Sequence, residues 1–437
     1  MKLAMRPLFI CALAPFAHGR TIDFEVDVGA IAEDHSLQVA QKNGAALNST
    51  LASLQPADVL VIPNKTFAIM GGIHAVGLDS VTIQIDGTLE FSDNIKHWPL
   101  QNGGRPAECI QLENPRNVTF TASGKGTLNG QGNKWWGIPG IGYLIRTENR
   151  PRLMKINNGK DILVENLLFK DSPYWTFSAD VDGLEIRNSD IDARRMHDDG
   201  HNIIDITAFN TDGFDVGGKN IWIHDCRVWN QDDSICVKGN TENMLVERVN
   251  ASGFGLTIGS VGGGTTIRNI TFRDCYMHKT IKGIYMKFRA MDTAALVADV
   301  LYENIVIDEP SQYGIWIGPA QQSDSRKFWS GHPCSIFWPQ APGWIANCDV
   351  PAFGTYANIT LRNITINNPK GSPGLIYANE TNPMQNVVFD NVRVNNPGKE
   401  PFGPTYFCKN VQGVATGNTW PVPDCFEDRT SNAMIVV

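Results

Sequence analysis

The sequence predicts an all-β fold: a single-stranded right-handed parallel β-helix, a solenoid, with loop insertions forming a cleft. Three observations predict it. A short alternating phrase recurs along most of the chain, its copies repeat at roughly 20–30 residues, and helical periodicity is almost absent. The phrase is apolar, any, apolar, polar, then usually Asn or Asp. It reads Ile162-Leu163-Val164-Glu165-Asn166, Leu184-Glu185-Ile186-Arg187-Asn188, Ile221-Trp222-Ile223-His224-Asp225, Met244-Leu245-Val246-Glu247-Arg248 and Ile270-Thr271-Phe272-Arg273-Asp274. Later copies start at Val300, Ile359 and Val387, and a weaker early one at Val118.

Each element of that reading has a cause. Period-2 alternation is the pattern of a half-buried strand. The central copies start 22, 37, 23, 26 and 30 residues apart, enough for a coil of about three short strands. An antiparallel sandwich would instead turn every 8–12 residues in hairpin form. The fifth position is Asn five times and Asp twice in the eight clear copies. Both residues tolerate left-handed backbone, as a repeated sharp turn between sheets requires, and stacked Asn side chains can bond from coil to coil. Residues one coil apart should lie about 4.8 Å apart up the stack.

Composition bounds the rest. The 437 residues are 42% hydrophobic and 19% charged, which fits a folded chain with a large core. A net charge of −8 gives no support for a nucleic-acid partner, and no apolar run is long enough to span a membrane. Residues 1–19 read as a secretory signal, with Lys2 and Arg6 before the apolar stretch Leu8 to Phe16 and a small-x-small site at Ala17-His18-Gly19. Residues 20–437 then form one β-helix domain, expected to be secreted and monomeric. Sequons at Asn48, Asn64, Asn117, Asn250, Asn269, Asn358, Asn363 and Asn379 agree with export and mark candidate N-glycosylation sites. Cys334 with Cys348, and Cys408 with Cys425, close short loops and are the expected disulfides. Cys226, Cys236 and Cys275 instead lie in strand-like runs as buried thiols.

Chemistry should appear as polar groups one coil apart. Asn210-Thr211-Asp212 is followed 20 residues later by Asn230-Gln231-Asp232-Asp233, so Asp212, Asp232 and Asp233 should share one surface. Three carboxylates that close repel, which raises at least one pKa and leaves a protonated acid beside an ionised base. A calcium site is the rival reading of the cluster, and a solvated turn the reading preferred for Asp198-Asp199. The glycines of Gly253-Phe254-Gly255 and beyond suit a cleft floor, and Lys287 or Arg289 offers a partner for a substrate carboxylate.

Together these residues resemble glycoside hydrolase family 28, the polygalacturonases and related pectin hydrolases. The four family motifs correspond in order to Asn210-Thr211-Asp212, Asp232-Asp233, Gly253-Phe254-Gly255 and Tyr285-Met286-Lys287, and the resemblance covers roughly residues 100–400. Asn129 to Trp136 and Asp171 to Trp175 also look like family landmarks. The resemblance implies an inverting hydrolase in which Asp232 is the general acid and Asp212 and Asp233 activate water, with acid and base about 6.5–9.5 Å apart. It implies a galacturonate carboxylate on Lys287, substrate contacts at Asn210, Phe254 and Tyr285, a pectic polysaccharide or oligogalacturonate as substrate, and neither metal nor organic cofactor.

Departures from the family pattern shape the specificity expected. Phe254 stands for the family histidine and Tyr285 for its arginine, leaving Tyr285 one hydrogen bond and a ring face for a sugar. Ser234 and Asn250 replace a cysteine pair, so the catalytic floor is expected to be held by packing alone. An insertion between the copies at Val300 and Ile359 carries Phe328, Trp329, Phe337, Trp338 and Trp344, with Cys334 and Cys348 as its expected clasp. Walling one end of the cleft, with a second wall at Asp192 to His201, it resembles the exo-acting fungal branch. The expectation is an exo-polygalacturonase of galacturan 1,4-α-galacturonidase type. The alternatives are a rhamnogalacturonan-directed hydrolase and a catalytically impaired glycan-binding β-helix.

Overall fold

The computed structural model describes residues 19–137, 149–196, 200–201, 205–320 and 350–431. The leader, Asp198-Asp199 and the aromatic insertion therefore lie outside the described residues. The disulfide expected within that insertion falls there too: Cys334 lies outside the described residues, and so does Cys348. The bond found among the described residues is the other expected one, between Cys408 and Cys425, with Cα atoms 5.6 Å apart near the C-terminal end. Cys226, Cys236 and Cys275 are buried free thiols, joined by Cys109.

The recurring phrase stacks on itself. Ile162 pairs with Leu184, Leu184 with Ile221, Ile221 with Met244, Met244 with Ile270, Ile270 with Val300, Val300 with Ile359, and Ile359 with Val387. Every one of these ladders is parallel, so the chain winds as a parallel β-helix with three strand columns per coil, right-handed as parallel crossovers are. The fifth-position residues take the left-handed backbone expected of them, with φ of 59° at Asn166, 54° at Asp225 and even 52° at Arg248. Their side chains bond up the stack, as where Asn363 Nδ2 donates to Asn304 Oδ1 at 3.0 Å and Asn391 Nδ2 to Asn363 Oδ1 at 3.2 Å. Inside, Phe169, Phe177 and Phe214 meet edge to face on successive coils.

One helix, Leu37–Ser53, was not foreseen. It covers the open N-terminal end of the core with Val39, Ala40, Asn43, Gly44, Leu47 and Leu51, the capping role a solenoid end requires. Its buried face is partly polar: Asn43 donates to Ile31 O and Ala68 O there, which hides the helical apolar period. Six sequon asparagines are exposed, whereas Asn48 and Asn379 are half-buried with their amides donating to Gly72 O and Val350 O.

Candidate active site

The site is built where one strand column begins. Phe177, Phe214, Ile235, Leu256, Ile284 and Ile315 pair in sequence up that column. Two residues before each, the chain places Trp175, Asp212, Asp233, Phe254, Lys282 and Tyr313, one per coil. Backbone hydrogen bonds fix this register through the turns: Thr176 N donates to Asp212 O at 2.8 Å, Gly213 N to Asp233 O at 2.8 Å and Ser234 N to Gly255 O at 3.1 Å. A coil of 21 residues thus stacks Asp212 directly against Asp233, with Asp232 beside them in the same turn. One carboxylate oxygen from each of the three lies within 4.8 Å of the others.

That spacing is closer than the 6.5–9.5 Å expected of an inverting pair, because strand separation and chain adjacency set it. It still admits a water: two hydrogen bonds of about 2.8 Å reach between oxygens up to ~5.6 Å apart.

All three carboxylates are buried and differ in their partners. Lys287 Nζ donates to Asp233 Oδ1 at 3.0 Å and Oδ2 at 2.8 Å, and Thr257 Oγ1 donates to Asp233 Oδ1 at 3.0 Å. Burial alone would raise Asp233, but the ammonium groups of Lys287 and Lys238 outweigh it and hold the carboxyl below the ordinary range. Asp232 goes the other way, pushed well above the ordinary range by burial and then by the charges of Asp212 and Asp233. Its oxygens accept from Asp233 N at 2.9 Å and from Asn210 N and Nδ2 at 3.3 and 3.2 Å. Burial, followed by neighbouring Asp215, also pushes Asp212 up. Asp215, which sequence reasoning passed over, rises to about 6 chiefly through burial and sits 3.5 Å from Lys238 Nζ. The turn therefore sets a carboxyl pushed toward its protonated form, Asp232, beside one held toward its ionised form, Asp233.

Several expectations need correction. The floor is not held by packing alone: fully buried Asn230 donates to Thr211 O at 2.8 Å and Asp233 O at 2.9 Å, and accepts from Ser234 Oγ at 3.2 Å. Ser234, at the family cysteine position, is thus part of a hydrogen-bonded brace, while Asn250 faces solvent. Lys287 is buried and paired with Asp233, which leaves one of its three N–H groups for a substrate. Tyr285 offers no open face for a sugar, being 3% exposed with Lys282 and Lys287 ammonium groups 4.7 and 4.3 Å from its ring centroid. Phe254 is likewise covered, meeting the edge of Phe209 and lying 5.0 Å from Lys282 Nζ. Lys238 and Lys282 were missed because neither lies in a family motif; the coil register was the signal that finds them.

A groove of about 620 Å³ opens beside the carboxylates and shares Asp215 and Lys238 with them. Trp175, Asp180 and Arg289 line it further out, and the Lys238 ammonium lies 5.2 Å from the Trp175 ring. Arg289 is exposed, with its guanidinium donating to Ser260 O at 3.1 Å. An otherwise acidic chain thus lines this groove with Lys238 and Arg289, while Lys282 and Lys287 are buried behind the carboxylate turn. With Lys287 using two of its hydrogens on Asp233, the carboxylate set already has a cation from the chain itself.

The chain is similar to known proteins in sequence and in fold. The family described as glycosyl hydrolases family 28 matches residues 55–327, more than half of the chain. A protein named endopolygalacturonase AN8327 from Emericella nidulans is 27% identical over 72% of this chain and 79% of its own length. One named alpha-L-rhamnosidase rgxB from Aspergillus niger is 24% identical over 92% of this chain and 90% of its own. The solved polygalacturonase from Erwinia carotovora ssp. carotovora superposes with a TM-score of 0.63 at 20% identity, covering 90% of this chain and 96% of that one, which shows a common fold.

Proposed function

The chain belongs to glycosyl hydrolases family 28, and from that premise we propose that it is a secreted, exo-acting pectin hydrolase of galacturan 1,4-α-galacturonidase type. The observation that carries the reading is three buried carboxylates with oxygens within 4.8 Å of one another, of which Asp233 is held ionised by Lys287 Nζ at 2.8 Å while burial pushes Asp232 the other way. Asp232 gives its proton to the glycosidic oxygen of the leaving sugar. A water between Asp212 and Asp233 loses a proton to Asp233 as its oxygen bonds to the anomeric carbon from the opposite face. The product anomer is inverted, and exchange with solvent restores both carboxyls. Of the two residues expected to activate the water, Asp233 is the base. Asp212, held above the ordinary range, orients the water.

Lys238 and Arg289 in the groove lining favour an anionic sugar, since charge-assisted hydrogen bonds to a carboxylate are the strong ones. Exo action rests on the aromatic composition of the segment 321–349, with Phe328, Trp329, Phe337, Trp338 and Trp344, which lies outside the described residues. A rhamnogalacturonan substrate is the second reading, favoured by Phe254 and Tyr285 at the family histidine and arginine positions and by the near full-length likeness to the alpha-L-rhamnosidase rgxB. Chromatography of products from de-esterified polygalacturonate and from rhamnogalacturonan, with Asp232→Asn as blank, tests both. Galacturonate monomer from the outset supports the exo reading. Early release of mixed oligomers overturns it, and product from rhamnogalacturonan alone favours the second.

A further inference from the structure

Lys282 stands one coil above Phe254 and two above Asp233 in the column that carries Asp212 and Asp233. Its side chain is fully buried, yet among the described residues no hydrogen-bond partner reaches its Nζ. The ammonium lies instead over two rings, 5.0 Å from the centroid of Phe254 and 4.7 Å from that of Tyr285. These are the two positions where the family pattern has a histidine and an arginine. The polar groups that those residues would have brought are gone, and a lysine from the next turn has its head group between their replacements.

A buried amine without a partner costs stability, so its presence needs a compensating role. Three charged groups act on it from the turns and strand packed around it: Lys287 repels it, while Asp233 and Asp232 attract it. Asp233 is already committed to Lys287 at 2.8 Å. The anion that Lys282 lacks is therefore not supplied within the cluster, and the neighbouring carboxylates place any incoming anion against the reaction centre. We propose that Lys282 is the substrate-binding cation of this site, receiving the carboxylate of a uronate sugar next to the scissile bond in place of the missing arginine and histidine. The proposal deepens the pectic reading above and rests on it. It accounts for an anionic specificity in a chain that has lost both family contacts. Because Phe254 and Tyr285 screen the amine from water, anion binding includes displacement of one ring edge.

The test is calorimetric binding of trigalacturonate and of its trimethyl ester to the Asp232→Asn variant, with and without Lys282→Met. In Asp232→Asn the acid should bind at least ten-fold more tightly than the ester. Adding Lys282→Met should weaken the acid at least ten-fold, leave the ester unchanged, and leave the melting temperature equal or higher. Lys282→Gln, which keeps a polar end, serves as the second variant and should weaken acid binding in the same way. An acid preference that survives both substitutions overturns the Lys282 assignment and leaves the pectic reading standing. Equal binding of acid and ester by Asp232→Asn also overturns the assignment alone. Failure of Asp232→Asn to bind either compound overturns both.

Discussion

Lys287 Nζ lies 3.0 and 2.8 Å from the two carboxylate oxygens of Asp233, and this contact sets which member of the buried acidic cluster carries charge. The lysine is itself driven to stay protonated: burial would lower it, but Asp233, with smaller contributions from Tyr285 and Cys236, holds it above the ordinary range. Removing it with Lys287→Met takes away the largest influence holding Asp233 ionised. The sign follows: the Asp233 pKa rises, so the base is protonated at a higher pH. The acid limb of the kcat/KM profile should move up by about 1–3 pH units. A profile with an unmoved acid limb would place the base elsewhere.

Asp232 is the protonated partner, and activity should fall on the alkaline side as it ionises. Asp232→Asn removes the proton donor but keeps a side-chain oxygen to accept from Asp233 N, a bond now at 2.9 Å. Turnover should drop by about 10²–10⁴-fold with the melting temperature within a few degrees of the parent. Retained turnover in a product assay would move the acid to Asp212 or Asp215.

The product anomer is a further expectation. Nuclear magnetic resonance of the first turnover should show the anomer opposite to that of the substrate linkage. The oxygen spacing of 4.8 Å or less is compatible with a bridging water but also close to the separation of carboxyls in retaining enzymes. Retention of configuration would therefore make one aspartate a nucleophile and end the water-activation assignment.

Much of this was legible in the sequence because a solenoid turns spacing into position. The starts of the recurring phrase, from Ile162 to Val387, are the residues that pair up the stack, and the 20-residue offset from Asp212 to Asp232 located the cluster. The Asn-rich fifth position encoded the left-handed turn. Lys282 and Lys238 escaped because no short motif contains them; Lys238 meets Asp212 and Asp215 from the coil before, and Lys282 is singled out only by its burial between two rings. The direction of the Lys287 head group toward Asp233, rather than into the cleft, depends on side-chain packing that alternation cannot report. The helix Leu37–Ser53 was hidden for a related reason, since Asn43 and Gly44 on its inner face interrupt the apolar stripe.

Gly253 and Asn230 define how tightly the acid turn is built. A Cβ on Gly253 would meet Asp232 O and Ser234 Oγ at 2.6 Å and crowd Asn230 Oδ1 as well. Gly253→Ala should displace the acid turn, and misplacement of about 1 Å is enough for a ~10²-fold loss of kcat. Asn230→Ala leaves Thr211 O and Asp233 O without the donors now at 2.8 and 2.9 Å. The cost should be about 1–3 kcal/mol in urea unfolding. A Gly253→Ala enzyme with parental kcat would show that the turn can yield.

The buried amine of Lys282 makes a separate prediction about stability. Burial, then repulsion from Lys287, lowers its pKa from the ordinary 10.5 to about 7, with Asp233 and Asp232 opposing. Between these two values the unfolded chain holds a proton on this lysine that the folded chain has released. Unfolding then takes up a proton, so the contribution of this group to folding stability rises with pH across that window and is constant below about 7. Methionine at 282 fills similar volume with no charge to desolvate. Lys282→Met should therefore be more stable than the parent at about pH 6–7, and the difference should shrink toward about pH 10 by at most about 1.4 kcal/mol per pH unit. Urea unfolding of both proteins at matched pH isolates the lysine, since every other titrating group is common to them. A stability difference that does not change with pH would mean that Lys282 keeps its proton in the folded chain, held by an anion within the fold.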